Sequence, residues 1–163
     1  MTLGVDPGAN LGLAIVKWVS GRDKPYVVLA HETVTTDTEL AVSKRLATYG
    51  NAICEMLLLS NFSDINDAWV EVPWRRSRKT GRLSVYTRGG FNVAGIALLC
   101  AITGTVITTL QAAGLTVHEV PAPTGKQAKN WTKQKQHEVK MLTDLGKCNE
   151  HEAVAIRLAI SGT

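Results

Sequence analysis

Cysteine is scarce in this chain of 163 residues: Cys54, Cys100 and Cys148 make an odd count with no CxxC spacing, so neither a disulfide framework nor a zinc knuckle is indicated. They read as reduced thiols of an intracellular, cytoplasmic protein. Cys54 and Cys100 sit in apolar runs as small core residues, and Cys148 with His151 is a pair of candidate ligands where a zinc site needs four. The N-terminal MTLGVDPG lacks the basic start, apolar stretch and cleavage site of a secretion signal, so secretion is not expected. Repeats, low-complexity segments and linkers are missing as well. With 45% hydrophobic and 20% charged residues, the expectation is one compact domain over residues 1–163 with a true core.

Charge is missing in two places. Between Glu71 and Glu119 there is no acidic residue, although the formal net charge of the whole chain is only +4. Arg75, Arg76, Arg78, Lys79, Arg82 and Arg88 fall in that gap. A basic stretch free of acids suits a polyanion, because each phosphate neutralised releases condensed counterions; a solvated surface loop has the same composition. From Phe91 to Val117 there is no charge of either sign, a length that could cross a bilayer. Gly95, Gly104, Gly114 and the threonines at 103, 105, 108 and 109 dilute its apolarity, so it reads as a buried helix of a soluble protein, with no membrane partner.

The elements follow from periodicity and turn residues. TLGVD and LGLAIVKWV are apolar, partly β-branched runs separated by Pro-Gly and Asn, which predicts a β-hairpin, and PYVVLAHETV predicts a third strand. Leu40, Val42, Leu46, Ile53, Met56 and Leu57 recur at mostly three- and four-residue spacing, predicting an amphipathic helix over 39–59. DAWVEV reads as strand four, Trp74 to Arg88 as a basic loop, 92–110 as the uncharged helix and LTVHEV as strand five. Helices then take up Lys126 to Leu145 and, after the stop signal Gly146, EHEAVAIRLAI. Strands joined by crossover helices imply an α/β fold, a five-stranded mixed sheet flanked by helices on both faces. Ligand sites in such folds lie at the carboxyl ends of adjacent strands, where Asp6 and Glu71 fall.

A carboxylate among apolar strand residues, as in Leu3-Gly4-Val5-Asp6 or Val70-Glu71-Val72, is costly to ionise unless water, donors or a cation compensates it. Either acid alone is explained by alternation turning it to solvent. Two of them at the ends of separate strands, followed by a C-terminal helix with polar residues in its first turn, make an oxygen-ligand set suited to Mg²⁺ or Mn²⁺.

LGVDPGANLGLAIV resembles the first hairpin of the RuvC-type Holliday-junction resolvases, members of the RNase H-like superfamily, and the chain is similar to a divergent or phage-type member. The resemblance implies that Asp6 bridges the metal ions. VEVPW is similar to the family's second-acid strand, which puts Glu71 at the glutamate position and Trp74 where an aromatic residue meets junction bases, although an ordinary buried tryptophan has the same residue type. GKQAKNWTKQKQHEVKMLTDLG resembles the basic stretch before the last helix, with Lys126 and Lys135 or Lys133 at supporting positions. NEHEAVAIRLA resembles the terminal helix with two acids three apart; Glu152 takes the last acid and Asn149 the one before it. Glutamate for aspartate adds reach at 152, and an amide at 149 lowers the charge of the site and its hold on a second cation. Glu150, two residues off, is expected to turn away from the metal.

The resemblance implies a bacterial or phage-infected cell, a homodimer built on the uncharged helix 92–110, and branched DNA as the partner, held by Trp74, Arg75, Arg76, Arg78, Lys79, Arg82, Lys126 and Lys133. It implies two-metal phosphodiester hydrolysis with Asp6, Glu71, Asn149 and Glu152 as ligands, Lys135 offsetting phosphorane charge, and 5′-phosphate and 3′-hydroxyl products. DPGANLG is also similar to the first phosphate loop of actin-like kinases, but the chain has no room for their second domain. A nuclease acting on structured RNA, and a protein that holds branched DNA without cutting it, are the other readings.

Overall fold

The computed structural model describes residues 1–59, 64–77, 79–85, 93–123 and 131–162. Its main sheet has five strands in the order β3-β2-β1-β4-β7: β1 (Thr2–Asp6), β2 (Asn10–Trp18), β3 (Tyr26–Thr35), β4 (Asp67–Val72) and β7 (Thr116–Pro121). The first three run antiparallel to their neighbours, whereas β1 pairs with β4 and β4 with β7 in parallel. The mixed sheet expected from the sequence is present.

Alternation along the strands sorts the side chains into two cores. Leu3, Val5, Leu11, Leu13, Ile15, Ala68, Val70 and Val72 face α1 (Val42–Leu59) and α2 (Val93–Ala112). Ala14 and Val16, on the other face, meet α3 (Trp131–Leu142) and α4 (Glu150–Ser161). Burying a leucine, isoleucine or valine contributes about 1.5–3 kcal/mol, so the central strands read as continuous apolar runs because both faces are covered. On the second face α4 lies so close to the sheet that only glycine fits beneath it. A Cβ on Gly4 would overlap the Ala155 carbonyl oxygen, and one on Gly12 the carbonyl of His151.

Four expectations are corrected. The segment read as a basic loop forms a two-stranded hairpin, β5 (Trp74–Arg76) and β6 (Leu83–Val85). Ser77 N–H donates to the Arg82 carbonyl and Gly81 N–H to the Ser77 carbonyl, with Gly81 at φ +68°, a left-handed conformation that glycine adopts without a steric cost. The uncharged helix is not a buried one. Only Ile102, Thr103, Val106 and Leu110 of α2 are buried, 22% of its most apolar window is covered, and by length and composition it could cross a membrane. Cys54, expected in the core, is exposed because it lies on the outer side of α1. Helix α1 also begins at Val42 rather than 39, after Asp37 accepts from the Glu39 amide in a turn.

Candidate active site

Register brings the two acids together. In β1 and β4 the pair Val5 and Val70 is the last before the strands end, so Asp6 and Glu71 follow on adjacent strands, on the face opposite the Leu3–Val5 core. Both line a cavity of about 340 Å³ at the carboxyl ends of the strands. The turn Pro7-Gly8-Ala9 borders it on one side, and it is held from below: the Tyr49 hydroxyl, fully buried, donates to the Ala9 carbonyl at 2.5 Å and lies 3.0 Å from Thr36 Oγ1, which in turn accepts from Arg45 Nε.

Helix α4 contributes Glu150, His151 and Val154 to the same cavity. Gly12 is the cross-strand partner of Asp6, and the backbone of His151 rests on Gly12. This close approach sets the rotation and translation of α4, and it places His151 Nδ1 2.9 Å from Asp6 Oδ2. A carboxylate only accepts, so Nδ1 carries a proton, while Nε2 faces the Asn10 amide at 3.5 Å and the Glu150 carboxylate at 3.8 Å. The Asp6 carboxylate fixes the orientation of the imidazole and with it the direction in which Nε2 points.

The helix register read from the sequence is corrected here. The sequence puts Asn149 and Glu152 toward Asp6 with Glu150 turned away; instead Glu150 and His151 line the cavity. Asn149 is the N-cap of α4: its side chain accepts from the Glu152 amide while the Glu152 carboxylate accepts from the Asn149 amide, a reciprocal capping box. Asn149 also bonds Thr33 of β3, and Glu152 Oε2 lies 3.5 Å from His31 Nδ1. Both residues therefore face β3. The two polar residues that a three-residue spacing puts on one helical face, Asn149 and Glu152, are there, but that face is turned toward the sheet edge.

Lys135 does not border the cavity. It is buried on α3 and donates to Glu138, which also accepts from Arg157 Nε of α4. Burial raises the Glu138 carboxyl, but the bonds and charges of Lys135 and Arg157 outweigh it and hold it below the ordinary glutamate value. This triad ties α3 to α4. Lys133 is exposed on α3. Trp74 is half-buried, packs against the first core and donates its indole N–H to Glu119 Oε2 at 2.8 Å. Arg75, Arg76, Lys79 and Arg82 are exposed on the hairpin, and Arg78 and Lys126 lie outside the described residues.

Asp6 and Glu71 supply two carboxylates to a cavity that Glu150 also lines, and among the described residues no three His, Cys, Asp or Glu side chains converge as a metal cluster, around Cys148 and His151 or elsewhere. Two carboxylates suit Mg²⁺, which keeps water and substrate phosphate oxygens in its shell and rarely takes an all-protein cage. From the sequence His151 is paired only with Cys148 and Glu150 is turned away from the metal, so neither is placed beside Asp6. The signal was Gly4 and Gly12, small residues on the Asp6 face of β1 and β2 that mark where a helix backbone lands, but which residue of α4 lands there is a matter of packing.

No family model and no curated protein matches the sequence. Solved structures do match. Thermus thermophilus RuvC in complex with a Holliday junction substrate has a TM-score of 0.68 at 17% identity over 98% of this chain and 90% of that one. A structure of Thermus thermophilus RuvC matches at 0.68 and 19%, over 98% and 91%. The complex of Fowlpox virus resolvase with Holliday junction DNA matches at 0.53 and 12%, over 99% and 97%. The chain has the RNase H-like fold of these resolvases.

Proposed function

We propose that this protein is a metal-dependent endonuclease that resolves four-way or otherwise branched DNA junctions. The observation that carries the reading is the pairing of Asp6 and Glu71 at one cavity beside an exposed basic hairpin, on a fold shared with proteins solved on Holliday junctions. Carboxylates alone repel a phosphodiester, so they serve its hydrolysis only with a divalent cation between; Arg75, Arg76, Lys79 and Arg82 supply the positive surface that brings the DNA to them.

Asp6 and Glu71 would hold Mg²⁺ or Mn²⁺, two ions in the reading that the resemblance implies. When bound, such ions supply Lewis acidity at the phosphate and a nucleophile at neutral pH. The protein's part is positional. His151 orients the Asp6 carboxylate, Tyr49 fixes the turn behind it, and the Lys135–Glu138–Arg157 triad holds α4 in the place that brings His151 over Gly12. Trp74, at the base of the hairpin, would stack on bases opened at the branch point, leaving Glu119 to do so. Two cuts in a junction of two-fold symmetry call for two such sites, and the exposed apolar side of α2 is the proposed surface between two copies.

The test is cleavage of a synthetic four-way junction with Mg²⁺ or Mn²⁺, beside linear duplex and RNA controls. Paired incisions in the junction and none in linear duplex are expected. Preferential cutting of the RNA control would move the reading to structured RNA, and tight junction binding with no incision under either metal would make the protein a binder.

A further inference from the structure

Two cations are buried among the described residues, and they differ in what compensates them. Lys135 donates to Glu138. Arg45, in the first turn of α1 and 5% exposed, makes a single hydrogen bond, from Nε to Thr36 Oγ1 at 2.9 Å, and no carboxylate of the described residues pairs with it. Charged side chains are almost never enclosed without a partner, because the ionised form loses its hydration. Asp37 and Glu39 are near in the chain, but both are exposed and the Asp37 carboxylate accepts from the Glu39 amide. The helix adds to the imbalance. Its first turn holds no acid and carries Lys44 and Arg45 at the end where the macrodipole is positive. Neither terminal nitrogen of Arg45 is among the sealed, partnerless atoms of the described residues, so the stem is enclosed while the end of the fork reaches solvent.

This fork stands beside the candidate site. Thr36 follows Thr35, the cross-strand partner of Asn10, and one relay of hydrogen bonds runs from Arg45 Nε to Thr36 Oγ1, from that hydroxyl to Tyr49 Oη, and from Tyr49 to the Ala9 carbonyl. Ala9 belongs to the turn that borders the cavity of Asp6 and Glu71. We infer that Arg45 is a phosphate clamp: its terminal nitrogens receive a backbone phosphate of the strand being cut, other than the scissile one, where that strand passes the Pro7–Ala9 turn. The inference rests on the nuclease reading above and deepens it. A guanidinium offers parallel N–H donors that match two non-bridging phosphate oxygens, and the phosphate supplies the negative charge that the fold withholds from Arg45. The clamped phosphate is tied through the same relay to Ala9, so the position of the strand and the placement of the turn after Asp6 are set together. Every nucleotide carries the same phosphate, so the clamp sets the register of the strand and reads no base.

The experiment uses four-way junctions in which a single phosphate near the cut, at successive positions, is replaced by an uncharged methylphosphonate, with the wild-type chain, Arg45→Met and Arg45→Lys. For the wild type, neutralising one phosphate other than the scissile one should slow cleavage about tenfold, as loss of a hydrogen bond to a charged group does. Arg45→Met should cut the unmodified junction that slowly, lose nothing further at that one position, and keep its losses at the others; its slope of log K against log salt should fall by about one. The methionine keeps an apolar stem and removes an uncompensated charge, so the melting temperature should hold or rise. If Arg45→Met does not fold, Arg45→Lys carries the test: it keeps the charge without the fork, and its penalty should shrink at that same position alone. Penalties that multiply with the substitution at every position, or an Arg45→Met rate equal to the wild type's, overturn the clamp and leave the nuclease reading intact. Inorganic phosphate that protects the wild type from thermal unfolding but not Arg45→Met, with no coupled position on the DNA, makes this a site for a free anion and also overturns the clamp. A wild-type chain that neither binds nor cuts any branched DNA overturns the nuclease reading, and the inference with it.

Discussion

At the scale of single residues the chemistry depends on two carboxylates and what surrounds them. Asp6→Asn and Glu71→Gln each remove one negative charge from the proposed cation site and leave the hairpin cations untouched. Cleavage should fall below detection in both while junction affinity, measured by gel shift or anisotropy, stays level or rises. Retained cleavage in either variant would remove that residue from the site. Asn149 belongs to the fold and not to the cavity, since its amide oxygen satisfies the Glu152 N–H. Loss of an N-cap costs about 0.5–2 kcal/mol, so Asn149→Ala should lower the melting temperature by several degrees with little change in cleavage rate below the transition. Asn149→Asp keeps the cap and should do less still. A rate that rises with the added charge at limiting Mg²⁺ would put residue 149 back among the ligands.

At the scale of elements, two features carry most of the consequence. The β5–β6 hairpin presents exposed Arg75, Arg76, Lys79 and Arg82, and each cation that meets a phosphate adds to the salt dependence of binding. Replacing any one by alanine should weaken binding to all sequences alike and lower the slope of log K against log salt by about one; an unchanged slope means that residue does not touch the backbone of the DNA. The second feature is the seating of α4 on glycine. Gly12→Ala forces a methyl group into the His151 carbonyl, and overpacking of this kind typically costs about 1–3 kcal/mol. Chemical denaturation should register that loss. Because α4 must lift or slide to relieve it, the His151–Asp6 bond is disturbed, and cleavage should fall by more than the unfolded fraction accounts for. A variant that loses stability but keeps its full rate when folded would separate His151 from the site.

At the scale of the whole molecule the open question is what covers α2. Val93, Ala97 and Ala101 are exposed on it, and an apolar stripe of that length marks an interaction surface. In the proposed dimer Ala101→Glu introduces charge at an exposed position, which the monomer tolerates and an apolar interface does not. Sedimentation should show the wild type at twice the chain mass at micromolar concentration and Ala101→Glu shifted to the monomer. If the wild type itself sediments as a monomer, the surface serves another partner.

Much of the fold was legible because its information is local. Continuous apolar runs mark strands covered on both faces, three- and four-residue spacing marks α1, and acids within such runs, at Asp6 and Glu71, stand out by the cost of burying them. The pairing of those two acids could be anticipated, since parallel neighbours in a mixed sheet end together. Other features depended on distant parts of the chain meeting. The basic segment gave no alternation long enough to announce a hairpin, and α2 carries the same residues whether its outer side is buried or exposed, so composition could not choose. The rotation of α4 was the decisive case. Spacing alone put 149 and 152 on one face, correctly, but which face meets Asp6 is set by the contact of a helix backbone with Gly4 and Gly12, and steric fit between segments some 140 residues apart leaves no mark on either segment alone. Only the tertiary packing made His151 the neighbour of Asp6.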